Sequence, residues 1–219
     1  MRWIGVIFLI LISQGTAWTQ QLNLTIQLRC DSIWKKEINL DELSVIMGQW
    51  IILSGSDTVY TNSNYSVYKF IEGKKSNEYK IQLNHSCCDE ITAFQFQLGV
   101  DSLTHYQEIG CCGLEPGSDL YWTWQSGYIG FKLEGQDKKS NHWQYHLGGF
   151  QAPNRSDQKV TFYPTDTHHQ NWIIQLHLTE KLFHEFNQTP FKVMSPSQKS
   201  QRLMNLIASE IDIFPEYEK

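Results

Sequence analysis

The sequence predicts an all-β, antiparallel fold followed by one C-terminal helix, and three observations carry that reading. Apolar and polar residues alternate with a period of two over much of residues 47–178. Gly, Asn, Asp or Pro interrupts the alternation every eight to twelve residues or so. A single stretch of helical spacing comes only afterwards.

Residues 1–17 read as a signal peptide: Arg2 supplies the positive start, Ile4 to Ile12 an apolar run, and Gly15-Thr16-Ala17 a small-residue cleavage site. That run is about half the ~20 residues a membrane span needs. The mature protein is therefore expected to be secreted, extracellular and without a membrane span. Residues 18–45 show little regular pattern and read as an N-terminal arm, leaving 46–219 as one domain.

Strands are expected at 47–56, 65–72, 78–85, 90–98, 103–110, 119–125, 127–134, 141–147, 159–163 and 171–178. Within them Tyr68 and Phe70 share one face, as do Phe94, Phe96 and Leu98; Trp122 and Trp124; Ile129, Phe131 and Leu133; Trp143, Tyr145 and Leu147; and Trp172, Ile174 and Leu176. Lys69, Gln97, Lys132, His146 and His177 occupy opposite, wet faces, as an antiparallel sheet allows. A sandwich would pack the rings against a second sheet, and a closed barrel of about eight strands would turn them into an interior wide enough for one small ligand; the alternation is compatible with either. Ser195-Pro196 then begins a helix at about 196–209, with Leu203, Met204, Leu206 and Ile207 on one side, and a short tail follows.

The full chain has 18 Lys and Arg against 23 Asp and Glu, a net charge of -5. Removal of Arg2 with the signal peptide makes it 17 against 23, or -6. That balance argues against nucleic acid and anionic membranes as partners. Five sequons, at Asn23, Asn64, Asn84, Asn154 and Asn187, suit a secreted glycoprotein. The five cysteines are Cys30, Cys87, Cys88, Cys111 and Cys112. Zinc sites prefer C-x2-C spacing, whereas an oxidising compartment favours disulfides. Adjacent cysteines bond each other only with strain, so links from the first pair to the second are expected, with Cys30 joined to one of them or left single.

Neither a catalytic motif nor a cofactor site is legible. The eight histidines include no H-E-x-x-H pair, and His168-His169 sits in what reads as a solvated turn. His142, His146 and His177 read as surface residues. Leu147-Gly148-Gly149-Phe150 lacks the strand-to-helix setting of a phosphate loop, and no G-x-S-x-G occurs. The expectation is a non-enzyme without cofactor or metal.

Gly48-Gln49-Trp50 opens the apolar run that leads the strands, and Gln170 to Leu176 forms the last of them. Together with the helix at 196–209 and the tail Ile213-Phe214-Pro215-Glu216-Tyr217, these stretches resemble the lipocalins of the alpha-1-acid glycoprotein and apolipoprotein M branch. The resemblance spans most of the mature chain and implies an eight-stranded antiparallel up-and-down β-barrel. Gly48 would then make a tight turn and Trp50 would plug the closed end, with Lys181 or Lys192 as the basic residue over it. The chain departs from the branch in having no cysteine beyond Cys112. A secreted carrier of a small hydrophobic ligand (a lipid, steroid or amphiphile) follows, with Tyr68, Phe70, Phe94, Phe96, Trp122, Trp124, Phe131, Trp143 and Tyr145 lining its cavity. The alternative is an MHC class I/CD1-like or β-sandwich immune ligand or decoy that meets a cell-surface receptor, with Gly127 to Asp137 in a strand pair and Asn171 to Phe186 as a helix.

Overall fold

The computed structural model describes residues 20–70, 79–85, 90–107, 110–115, 119–166, 169, 171–188 and 192–217. The signal peptide, Cys87, Cys88 and His168 lie outside them.

The fold is predominantly β, and its strands fall into two sheets. The smaller has the order β12-β10-β1-β4, built from β12 (Ile211–Pro215), β10 (Asn171–Leu178), β1 (Gln20–Cys30) and β4 (Tyr79–His85). The larger runs β11-β8-β7-β2-β5-β9, from β11 (Lys192–Val193), β8 (His142–Gly148), β7 (Gly127–Asp137), β2 (Ile38–Ser54), β5 (Ala93–Leu98) and β9 (Gln158–Phe162). β3 (Asp57–Phe70) and β6 (Tyr121–Thr123) are attached to β2 and β7. Among the described residues four α-helical segments connect or cover these strands: α1 (Ser32–Glu37), α2 (Ser102–His105), α3 (Glu180–Asn187) and α4 (Gln198–Ser209).

This arrangement corrects the expected single antiparallel barrel, because the pairing is mixed. β1 runs parallel to β10, with Leu24 beside Trp172 and Ile26 beside Ile174, and β11 runs parallel to β8. Among the described residues the larger sheet is an open series. Residues 20–30, expected as part of an arm, form a central strand. Leu22, Leu24 and Ile26 alternate there and are buried, the half-buried pattern of any strand. Within the strand expected at 103–110, residues through His105 form instead the turn of α2, because the Asp101 carboxylate accepts a hydrogen bond from the Thr104 N–H at 2.7 Å and caps it. Ser197 caps α4 in the same way through the Ser200 N–H.

The main core joins the inner faces of both sheets with α1, α3 and α4. Its rings pack against one another. Phe94 meets Trp172 edge-on at 4.9 Å, Trp143 stacks on Phe183 at 5.7 Å, and Tyr145 meets Phe186 at 4.5 Å while its hydroxyl donates to the Phe186 carbonyl at 2.6 Å. A second, smaller core of Ile46, Tyr65, Val100, Leu114, Leu120 and Ile129 lies apart from it. Ile129 belongs there and Phe131 to the main core, although the alternation puts them on one face; a register break between them in the β7–β8 pairing sends them apart.

β2 organises the larger sheet. It lies along β3 on one side, and on the other it pairs with β7 up to Val45 and with β5 from Met47 onward. Gly48-Gln49-Trp50 sits at that exchange as a bulge, with Gln49 at φ +50°. A Cβ on Gly48 would lie 2.5 Å from the Asn64 carbonyl oxygen and from Tyr65 Cα, so only glycine admits the approach of β3. Trp50 stacks on Phe96 at 4.5 Å inside the core. The motif is thus an interior bulge, not the entry to a barrel, and Trp50 plugs no open end. Lys181, proposed to lie over it, is paired with Glu210 at 2.8 Å, and Lys192 is exposed on β11.

Candidate functional site

Two groups of polar and aromatic side chains stand apart from the main core. The first is a charge network spanning neighbouring strands. Ser44 on β2 faces Lys69 of β3 and Lys132 of β7, and Lys132 in turn faces His146 of β8. The Lys132 ammonium lies 3.0 Å from Glu42 and 3.6 Å from Glu134. The Ser44 hydroxyl donates to Glu42 at 2.6 Å, and His146 Nε2 lies 2.7 Å from Glu134. Lys132 is 7% exposed and His146 8%. Both were expected on wet faces, and the Lys132 ion pairs and the His146–Glu134 hydrogen bond explain how they can be covered. Burial opposes the charge on Glu42, but the Ser44 and Lys132 hydrogen bonds outweigh it and hold the carboxyl below its ordinary value. Burial likewise opposes the Lys132 charge, and Glu42 first, then Glu134 and Asp119, raise its pKa in spite of it. Every charge in this network is balanced by a neighbour, and its chemistry is that of a brace.

The second group gathers around α2. Asp101 fixes that turn, and the Tyr65 hydroxyl, opposite Gly48 in the β2–β3 ladder, donates to the same carboxylate at 3.3 Å. Gln49 Nε2 donates to the Thr104 hydroxyl at 3.1 Å. α2 is thereby tied to the β2 bulge and presents His105 beside the β6–β7 turn.

The His105 ring stacks on Phe150 at 3.6 Å, with Tyr106, Tyr128 and Tyr121 at 5.7, 6.4 and 6.5 Å. Its Nε2 stands 2.9 Å from the Trp124 carbonyl. A carbonyl oxygen only accepts, so Nε2 carries the proton and Nδ1 keeps its lone pair in the neutral ring. Nδ1 is buried and has no hydrogen-bond partner. It faces Gly127, where a Cβ would come within 3.3 Å of Nδ1 and within 2.7 Å of the Phe150 ring.

Beside this ring lies the turn Cys111–Gly113. The Cys111 and Cys112 thiols are 3.3 and 3.1 Å from Gln107 Oε1, and Cys111 Sγ is 4.0 Å from the Thr104 carbonyl. Burial, then the neighbouring Tyr121, Cys111 and Cys112, raises the Tyr128 phenol above its ordinary pKa. The His105 ring and the two thiols thus both lie near the Tyr128 phenol, with Tyr106 and Trp124 exposed at the rim. Among the described residues no three His, Cys, Asp or Glu side chains are grouped as a ready-made metal cage.

The nine residues expected to line a ligand cavity do not share one site. Tyr68, Phe70, Phe94, Phe96, Phe131, Trp143 and Tyr145 are buried in the main core, where the rings fill the space between the sheets. Trp122 packs partly against the smaller core, and Trp124 is 72% exposed beside His105. Among the sequons, Asn64 is exposed on β3, Asn187 is exposed at the end of α3, and Asn23 donates to Asn171 at 2.8 Å within the β1–β10 ladder. Asn154 is half-buried beside the buried Ser156, and the Asn84 side chain is outside the described residues. Cys30 closes β1 and packs against the main core. Sequence reasoning passed over His105, Tyr121, Tyr128 and Phe150; Asp101-Ser102-Leu103-Thr104, a capping pattern, was the available sign that His105 sits on a fixed turn.

The MbnP family model matches residues 15–200. The chain belongs to the MbnP family. The structure is similar to that of MbnP from Methylosinus trichosporium, with a TM-score of 0.50 and 13% identity over 76% of this chain and 78% of that one, a likeness of fold alone. No curated protein matches the sequence. Membership in MbnP corrects the lipocalin resemblance. With it falls the small hydrophobic ligand carried in a barrel, and the filled core agrees. The immune-ligand alternative gains nothing from the MbnP match either, and Asn171 to Phe186 divides into the strand β10 and most of the helix α3.

Proposed function

We propose that this MbnP-family chain is a secreted, non-catalytic binding protein that holds a soft transition-metal ion, copper(I) being the best match, at the His105 cluster. The observation that carries the reading is His105 Nδ1, a buried lone pair without a partner on a ring whose other nitrogen is fixed by the Trp124 carbonyl. A backbone acceptor on one nitrogen is the usual device for orienting a metal-binding imidazole through the other. Cys112 supplies the soft donor, with Cys111 beside it, and thiolates select copper(I) over harder ions. A site with few ligands suits an ion that tolerates low coordination. Its aromatic surroundings favour a singly charged cation over a divalent one.

The bound ion would supply Lewis acidity and redox capacity; the protein's own part is to orient His105, to keep water from its buried face with Phe150, and to present the thiols. Anaerobic competition between the reduced protein and a chromogenic copper(I) chelator tests this. Wild type should withdraw copper(I) from the chelator, and His105→Gln and Cys112→Ser should each weaken binding at least tenfold. Equal affinity of both variants and wild type would remove the site from this cluster.

A further inference from the structure

The chain is acidic overall, yet lysines collect at one end of the fold. Lys35 and Lys36 occupy the last turn of α1, and Lys138 and Lys139 follow β7 in the hairpin to β8. All four are exposed. They line two adjoining depressions that share Glu37, Ile38, Asp137 and Lys138. One, of about 210 Å³, also takes in Lys139, Asn141 and Asn187 over a floor that includes Trp143 and Phe183. The other, of about 190 Å³, takes in Lys35, Lys36, Asn39 and Gln136. Each has room for one phosphate or sulfate.

The carboxylates nearby offset only part of the charge at this end. Asp137 is turned into its own hairpin, where it accepts from the Lys139 and Asn141 N–H groups at 2.8 Å each and from Asn141 Nδ2 at 2.7 Å. Glu37 meets Lys138 at 3.7 Å with both side chains more than a third exposed, a pair of the kind that water screens. Two carboxylates thus stand against four ammoniums, leaving a surplus of two positive charges around the depressions. Lysine is a point-charge binder of phosphate, and amide groups at the walls add neutral donors.

We propose that this end of the fold is a binding site for a phosphate- or sulfate-bearing anion, held between Lys35 and Lys36 on one side and Lys138 and Lys139 on the other. The site is separate from the His105 cluster, so either reading can fail alone. Pyrophosphate, whose two anionic groups match two adjoining depressions, is the probe. Calorimetric titration of the full secreted chain should give saturable binding that weakens steeply with added salt. K35A/K36A and K138A/K139A should each weaken it at least tenfold, and the quadruple variant should remove it. K159A, an exposed lysine on β9, should bind as wild type does, and circular dichroism checks that all four variants keep the fold. Sedimentation with phosphatidylserine vesicles, reversed by pyrophosphate, would assign the site to a lipid headgroup; pyrophosphate binding without sedimentation would assign it to a soluble anion. Absence of pyrophosphate binding by wild type, or undiminished binding by both double variants, overturns the proposal.

Discussion

Gly48→Ala tests whether the β2 bulge sets the spacing of the larger sheet. The new methyl would stand 2.5 Å from the Asn64 carbonyl oxygen, 2.5 Å from Tyr65 Cα and 2.7 Å from Tyr65 Cδ1. Ordinary contact begins near 3.4 Å, and two of the three obstacles are backbone of a paired strand that cannot rotate away. Overpacking of a close-packed interior costs about 1–3 kcal/mol, and a backbone obstacle places this site at the upper end, ~3 kcal/mol. For a chain of this size 1 kcal/mol moves Tm by about 2–4 °C, so Tm should fall by about 6–12 °C. Gly55→Ala is the control: its surroundings are open, but φ is +58°, so only the ~1 kcal/mol of left-handed strain applies. Urea unfolding at pH 7 with thermal melts of the three proteins reads the difference. A Gly48→Ala cost no greater than that of Gly55→Ala would refute the claim that β3 is held by its closeness to this bulge.

Lys132→Met removes the ammonium between Glu42 and Glu134, and leaving those partly buried carboxylates unpaired should cost about 2 kcal/mol at pH 7, below the full buried-pair penalty because Glu42 keeps some solvent. The folded pKa of Glu42 is lowered, so its share of stability is present above the ordinary 4.5 and is lost as pH falls through the folded value. The gap between variant and wild type in urea titrations should therefore close toward pH 3, and a gap constant from pH 7 to 3 would contradict the pairing. Burial pushes the Tyr68 phenol up to about 12 and the Tyr65 phenol higher still, against an ordinary 10.0. The folded state keeps these protons longer, so the stability they contribute is present below pH 10 and lost as pH rises through the folded values. Ultraviolet phenolate titration should show at least two tyrosines ionising only with alkaline unfolding.

The strands were legible because alternation is local: Phe94, Phe96 and Leu98 point inward together wherever β5 is placed in a sheet. What joins to what was not, since the parallel pairing of β1 with β10 brings together residues 148 apart, such as Asn23 and Asn171, and no local pattern encodes it. Leu22, Leu24, Ile26 and Leu28 alternate with polar residues, so β1 itself carries the local signal of a strand. A bulge defeats alternation by construction, which is why Ile129 was placed with Phe131. Ring-rich strands suit a cavity and a filled core equally, and only packing distances separate the two. Lys132 and His146 were assigned to water because their residue types favour it, whereas cross-strand carboxylates make their cover tolerable. The His105 cluster depends on three separate segments meeting, so its parts could be read but their meeting could not.

The stretch around Gly48-Gln49-Trp50 does more than exchange the neighbours of β2. Trp50 is committed to the core, but Gln49 and Tyr65, the residue opposite Gly48, both reach outward to α2, one to Thr104 and the other to its cap Asp101. The bulge therefore aims the turn that carries His105. Gln49→Gly separates this role from stability. Relief of the left-handed strain at φ +50° returns about 1 kcal/mol, and loss of the Gln49–Thr104 hydrogen bond removes about as much, so Tm should stay within a few degrees of wild type. Copper(I) affinity should nonetheless fall several-fold, because α2 loses its tie to the bulge and is held to the β2–β3 pair by the Tyr65–Asp101 contact alone. Unchanged affinity would mean that the Asp101 cap, the Trp124 carbonyl and Phe150 position His105 without Gln49; a lowered Tm with unchanged affinity would mean that the bulge serves the core and nothing beyond it.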